Sequence, residues 1–264
     1  MEQQAQALLK ALIDAAVSAF GRTLTGVYLH GSLAMGGFRW AVSDVDLLVV
    51  TAGTPALDQK ERYVRRLLDL AEAAPPKGLE ISVLTESAAR SAQHPMAYAL
   101  HFSNRYREAC RRAPRAFCQR MTGTDRDLAA HVAVLRQRGR TLWGIPAGEL
   151  FAPVPVDAYW DSICSDVAES AEEPQMDSVY LVLNLCRVLA YRRTGRILSK
   201  EEGGLWGVQW LPPACRKLAA QALACYQGTD VAPEDWETLG QTAFVRAVLG
   251  ELRQGPPVWL QEVL

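Results

Sequence analysis

Three carboxylates and one Gly-Ser dipeptide carry the residue types of phosphate chemistry. Asp44 and Asp46 lie two positions apart at the start of the apolar run VDLLVV (45–50). On an extended backbone, side chains two apart project from one face about 6.5–7 Å apart along the chain. Two such groups can share a hard divalent cation such as Mg²⁺, which takes one or two protein carboxylates and leaves its other positions to phosphates and water. Upstream, Gly31 lets backbone approach a ligand, Ser32 offers a hydroxyl, and a short helix starting there would aim N–H groups at a phosphate. Glu80 stands on the polar face of LEISVL (79–84), where a neighbouring strand could bring a third carboxylate to the same edge. Metal, anion cradle and proton acceptor together are what attack on a nucleoside triphosphate requires.

Alone, each piece has a simpler origin. A D-x-D is commonly a solvated strand end, Gly-Ser a common turn, and a lone Glu a polar strand residue. The order is more informative: a strand, Gly-Ser, a twelve-residue step from Ser32 to Asp44, then a buried strand.

The elements that must hold these residues follow from periodicity. Leu8, Leu9, Leu12, Ile13, Ala16, Val17 and Phe20 recur at helical spacing. Strands are expected over 24–30, 45–50 and 79–84, with a helix over 57–73. Beyond Thr85 helical patterns dominate, over roughly 95–120, 125–142, 157–170, 177–193, 212–227 and 232–253. FAPVPVD (151–157) is the best linker. The expected class is α+β: an N-terminal domain over 1–155 with a mixed sheet and helices, then an α-helical bundle over 156–264.

Composition narrows the function. With 264 residues, 49% apolar content and a formal net charge of −1, the chain reads as an ordinary globular protein, not a dedicated nucleic-acid binder. No apolar stretch approaches a membrane span, and Glu2, Lys10 and Asp14 interrupt the amphipathic start, so a cytoplasmic monomer without membrane partners is expected. The six cysteines form no CxxC pair and suggest reduced thiols. From Val156 to Cys186 there are seven acids and no base; from Arg187 to Lys200, five bases and no acid. The first run is a solvated helix face or a surface that attracts a polycation; the second suits a triphosphate. The run Arg105, Arg107, Arg111, Arg112, Arg115, Arg120 is a helical face, or a phosphate-tracking patch with little aromatic support.

On the Gly-Ser and D-x-D of LHGSLAMGGFRWAVSDVDLLV, the chain resembles the DNA polymerase beta-like nucleotidyltransferases. More narrowly, on that stretch with LEISVL, ELFAPVP and the family-specific block from Asp177 to Trp206, it is similar to the aminoglycoside 3''/9 adenylyltransferase family, the spectinomycin and streptomycin resistance enzymes. The resemblance implies transfer of AMP from ATP to an antibiotic hydroxyl, with Mg²⁺, at a site between two domains. It implies that Gly31, Ser32, Asp44 and Asp46 hold the triphosphate and metal, that Glu80 is the catalytic base and also meets the acceptor, that Arg187 and Lys200 reach the nucleotide, and that Asp177 contacts the drug. One departure bears on substrate. In F102-S-N-R-Y-R-107, Arg105 occupies the position of a tryptophan that grips streptomycin, and a guanidinium would repel a cationic drug. Spectinomycin is therefore the favoured acceptor. The competing readings are a nucleotidyltransferase that modifies protein or RNA, and a silent nucleotide-binding module.

Overall fold

The computed structural model describes residues 2–91, 93–173, 177–229 and 235–256. The chain divides into two compact units, Met1–Val154 and Pro155–Leu264.

The first unit runs α1 (Glu2–Phe20), β1 (Leu24–Leu29), α2 (Gly31–Met35), β2 (Val45–Thr51), α3 (Leu57–Ala71), β3 (Leu79–Thr85) and α4 (Glu86–Ala89). It continues with β4 (Met96–Tyr98), β5 (Leu100–Phe102), α5 (Arg107–Arg112), α6 (Pro114–Arg120), β6 (Gly123–Asp125), α7 (Asp127–Arg138), β7 (Arg140–Gly144) and α8 (Ala147–Leu150). Five strands form a mixed sheet in the order β5-β3-β2-β1-β7, and β4 pairs with β6 separately. Among the described residues only β2 and β3 are parallel; β1 with β2, β1 with β7 and β3 with β5 are antiparallel.

Side chains alternate across this sheet, and the alternation decides where chemistry can sit. Val45, Leu47 and Val49 of β2, with Ile81 and Val83 of β3, face a core built with α1 and α3. Leu48, Val50 and Leu84 face the other way, into a second core with Leu128, Val132 and Leu135 of α7 and with Phe151. Asp46 and Glu80 share parity with that second set, so they head the face that α7 covers.

The arginine run finds acids on α3 and at its C-terminal cap, Glu72. Arg107 and Arg111 both bind Glu72, and Arg115 spans Asp58 (2.6 Å) and Glu61 (2.9 Å). These pairs tie α5 and α6 to α3, which supports the helical-face reading of the run.

The second unit contains α9 (Val156–Glu172), α10 (Ser178–Thr194), α11 (Lys200–Trp210), α12 (Pro213–Gln227) and α13 (Gln241–Leu252). Helix α10 is buried along most of its length and packs against the other four. The expected fold class, a mixed sheet with helices and then a helical bundle, is the one observed.

Several expectations are corrected. The stretch expected as one helix over 95–120 begins instead with β4 and β5, and 125–142 ends in β7. Strands of three to five residues are too short to declare a period of two. The alternation is nevertheless present: Leu100 and Phe102 are buried, with His101 between them on the opposite face. Helix α11 was not expected, because Gly203 and Gly204 lower helix propensity. A reciprocal cap starts it, with Ser199 accepting from Glu202 N–H and the Glu202 carboxylate accepting from Ser199 N–H. The glycines let it pack close: a Cβ on Gly203 would fall 2.5 Å from Arg187 Cγ. The helix expected over 232–253 is observed only from Gln241 to Leu252, as α13; residues 236–240 form a turn before it, and 230–234 lie outside those described.

All six cysteines are free thiols, as their spacing implied. Among the described residues, no helix is long and apolar enough to cross a membrane.

Candidate active site

Register brings the first two carboxylates together. Parallel pairing of β2 with β3 sets Asp46 directly beside Glu80, a strand spacing of about 4.8 Å apart. Asp44 precedes the strand and turns in. One oxygen from each of Asp44, Asp46 and Glu80 lies within 4.8 Å of the others, closer than a fully extended D-x-D would allow. Asp46 is buried, and the other two are half-buried.

Gly31 and Ser32 close one side of this cluster. Gly31 has φ +63°, and a Cβ there would lie 1.8 Å from Asp46 Oδ2. Only glycine allows backbone and carboxylate to meet so closely in a left-handed conformation. The same contact is braced by His30 N–H donating to the Asp46 carbonyl at 3.2 Å. Ser32 Oγ is buried and has no hydrogen-bond partner. A buried hydroxyl left unpaired is costly, and a ligand oxygen would satisfy it.

Gly31→Ala should therefore do two kinds of damage. We expect about 1–3 kcal/mol of lost stability from the strained conformation, read as a lowered melting temperature. Displacement of Asp46 should reduce turnover by at least about tenfold, because misplaced catalytic groups lose rate steeply.

Four further side chains surround the carboxylates, and the sequence reading missed them. Lys77 Nζ lies 3.1 Å from Asp44 Oδ2. Burial opposes its charge, yet Asp44, then Asp46 and Glu80, outweigh that and hold its pKa above the ordinary lysine value. His101 lies opposite Ser82 across the β3/β5 pair, its Nδ1 2.9 Å from Ser82 Oγ. Its pKa is pushed down by burial against the opposing pull of Glu80 and Asp125. The rings of His30 and His131 stack 4.7 Å apart. Burial lowers His30 strongly, and His131 lowers it further. For His131 burial acts in the same direction, but Glu80, Asp127, Asp46 and Asp125 carry it above the ordinary histidine value. Three of the chain's four histidines thus gather around the carboxylates. A signal was available: His30 has the parity of Tyr28, and His131 sits at helical spacing with Leu128, Val132 and Leu135.

The remaining expected residues belong to the helical unit. Asp177 caps α10, accepting from Tyr180 N–H at 3.1 Å. Arg187 donates from Nε to the Leu198 carbonyl (2.7 Å) and from Nη1 to Asn184 Oδ1 (2.8 Å). Lys200 Nζ stands 4.4 Å over the Tyr180 ring. Arg105 lies over the Tyr106 ring at 5.9 Å in the first unit.

Comparison with known proteins gives consistent relatives. Residues 149–251 match the family described as aminoglycoside adenylyltransferase, C-terminal domain. A spectinomycin 9-adenylyltransferase of Staphylococcus aureus is 26% identical over 228 residues, covering 83% of this chain and 84% of the relative. An aminoglycoside (3'') (9) adenylyltransferase of Klebsiella pneumoniae is 28% identical over 218 residues, covering 79% and 80%. The fold matches a crystal structure of spectinomycin adenyltransferase AAD(9) from Enterococcus faecialis with ATP and spectinomycin. That match has a TM-score of 0.78 and 18% identity, and covers 94% of this chain and 99% of that one. Motif, fold and relatives agree: the chain is similar to aminoglycoside adenylyltransferases over most of its length.

Proposed function

We propose that this protein transfers AMP from ATP to a hydroxyl of an aminocyclitol antibiotic of the spectinomycin type, releasing pyrophosphate and conferring resistance. The observation that carries the reading is the convergence of Asp44, Asp46 and Glu80 beside the unpaired hydroxyl of Ser32 in a chain similar to aminoglycoside adenylyltransferases. Oxygen-only donors at that spacing fit Mg²⁺. Asp44 and Asp46 would hold it, and when bound it neutralises charge on the phosphates.

The protein groups have separable tasks. Ser32 Oγ and the backbone at Gly31 take phosphate oxygens. Glu80 accepts the proton of the attacking hydroxyl as its oxygen bonds to the α-phosphorus and the bond to pyrophosphate breaks. Lys77 supplies positive charge that keeps three neighbouring carboxylates compatible before substrates arrive, and the same carboxylates Glu80 and Asp46 favour the charged form of His131 against its burial. In the helical unit, Arg187 and Lys200 take nucleotide phosphates, and the exposed Asp177 meets the acceptor's cationic groups. ATP as donor together with free thiols fits the cytoplasm.

Arg105 makes spectinomycin the favoured acceptor. A guanidinium over Tyr106 presents positive charge where streptomycin, with its two guanidino groups, would need an aromatic face. The test is pyrophosphate release with ATP, Mg²⁺ and a panel of aminoglycosides. Release with spectinomycin, at least about tenfold faster than with streptomycin, is expected; a tenfold ratio corresponds to about 1.4 kcal/mol. Release with neither drug, but with a purified protein or RNA, would replace this reading with a macromolecule-modifying transferase.

A further inference from the structure

Helix α2, which carries Ser32, is a single turn of five residues. A helix this short cannot hold its own shape, because a first turn fixes several backbone angles for one hydrogen bond. Gly31 at its start is also in a left-handed conformation, φ +63°. Ser32 Oγ is buried and has no protein hydrogen bond to fix it. The direction of that hydroxyl is therefore imposed by what grips the turn from outside.

The grips come from both sides of the sheet. Leu33 and Ala34 pack against the core that β2 and β3 build with α1 and α3. Two more contacts come from α7, which covers the opposite face through Leu128, Val132 and Leu135. At the head of the turn, the His131 ring lies against His30 at 4.7 Å. At its foot, Arg138 Nη2 donates to the Met35 carbonyl at 3.2 Å. A spacing of seven residues is two helical turns, so His131 and Arg138 share one face of α7, about 10 Å apart. A five-residue helix spans about 7.5 Å, and the two contacts bracket it.

The foot contact is charge-assisted. The last carbonyls of a helix have no partner within it. In α2 the Ser32 carbonyl accepts from the N–H groups of Gly36 and Gly37, and the Met35 carbonyl takes the guanidinium. A cation is favoured at a helix C-terminus, and its hydrogen bond is stronger than a neutral one. Arg138 works from the last turn of a helix whose Leu128, Val132 and Leu135 are buried, so its anchor is independent of the turn it holds.

We infer that Arg138 is a positioning residue: through the Met35 carbonyl it holds α2 so that the Ser32 hydroxyl is presented to a phosphate oxygen of ATP. This rests on the reading of Ser32 as a phosphate ligand.

The experiment measures the ATP dissociation constant by calorimetry with Mg²⁺, alongside kcat and KM for ATP and spectinomycin. The variants are Arg138→Met, Arg138→Gln, Ser32→Ala and the double variant Arg138→Met with Ser32→Ala. Arg138→Met should weaken ATP about tenfold and raise its KM to match, with kcat within about threefold and the spectinomycin KM unmoved. Arg138→Gln is too short to reach Met35 and should lose ATP affinity to the same extent; it replaces Arg138→Met throughout if that variant does not fold. The double variant decides. With Ser32→Ala in place, losing Arg138 should weaken ATP by less than about a further threefold, because its effect runs through a hydroxyl already removed. Losses that multiply in full would overturn the inference, as would unchanged ATP affinity in the Arg138 variants. If Ser32→Ala itself binds ATP normally, the phosphate-ligand reading fails and the inference falls with it.

Discussion

Glu80→Gln is expected to bind ATP within about twofold of the parent and to lower AMP transfer by about 10²–10⁴-fold, the usual contribution of a positioned general base. The side chains have nearly the same shape, and the β2/β3 register that seats residue 80 beside Asp46 is set by backbone hydrogen bonds that the substitution leaves alone. What is lost is the ability to take a proton. Calorimetry and pyrophosphate release on the same preparation separate the two effects. Undiminished turnover would remove Glu80 from the role of base. Loss of ATP binding together with turnover would make it a ligand of the metal, a role its place in the oxygen cluster would permit.

Much of this site was legible because strands make simple promises. Once VDLLVV and LEISVL are read as adjacent strands, Asp46 and Glu80 can share a face, and the register that sets them side by side comes from the structure. Gly31 was legible as a close approach, although what it approaches, Asp46 Oδ2, required tertiary structure. Lys77, His101 and His131 were hidden for a different reason. They reach the carboxylates from a loop, an edge strand and a helix, and no periodicity within one element reports a meeting between three. The short strands β4 to β7 were hidden because pairing partners, not local pattern, make them strands.

Charge runs were the least reliable guide. The arginines of α5 and α6 were distinctive in sequence, yet Arg107 and Arg111 are occupied by Glu72 at the end of α3, and Arg115 by Asp58 and Glu61 within it. The acids of 156–186 likewise divide by local use. Asp157 accepts from the backbone N–H of Ala158, Asp177 caps α10, and Asp166 bridges Tyr180 and Asn184. A run of one sign records composition; the work of each member depends on which neighbour its helix turns toward.

Asp46→Asn should behave differently from Glu80→Gln. Asp46 is buried against Gly31 Cα, and its oxygen lies in the three-carboxylate cluster. An amide keeps the shape but loses both the charge and one acceptor oxygen that a hard cation needs. Turnover is expected to fall by about 10³-fold, as several kcal/mol of charge stabilisation is lost. The metal-free protein should be no less stable than the parent, since one of three crowded like charges is removed. The distinguishing readout is thermal: Mg²⁺ with ATP should raise the melting temperature of the parent and of Glu80→Gln by mass action, but hardly that of Asp46→Asn. Chelation should bring the parent to the same state. A Mg²⁺-dependent shift retained in full by Asp46→Asn would place the cation elsewhere, and would leave Asp46 as the carboxylate that shapes the Gly31 turn.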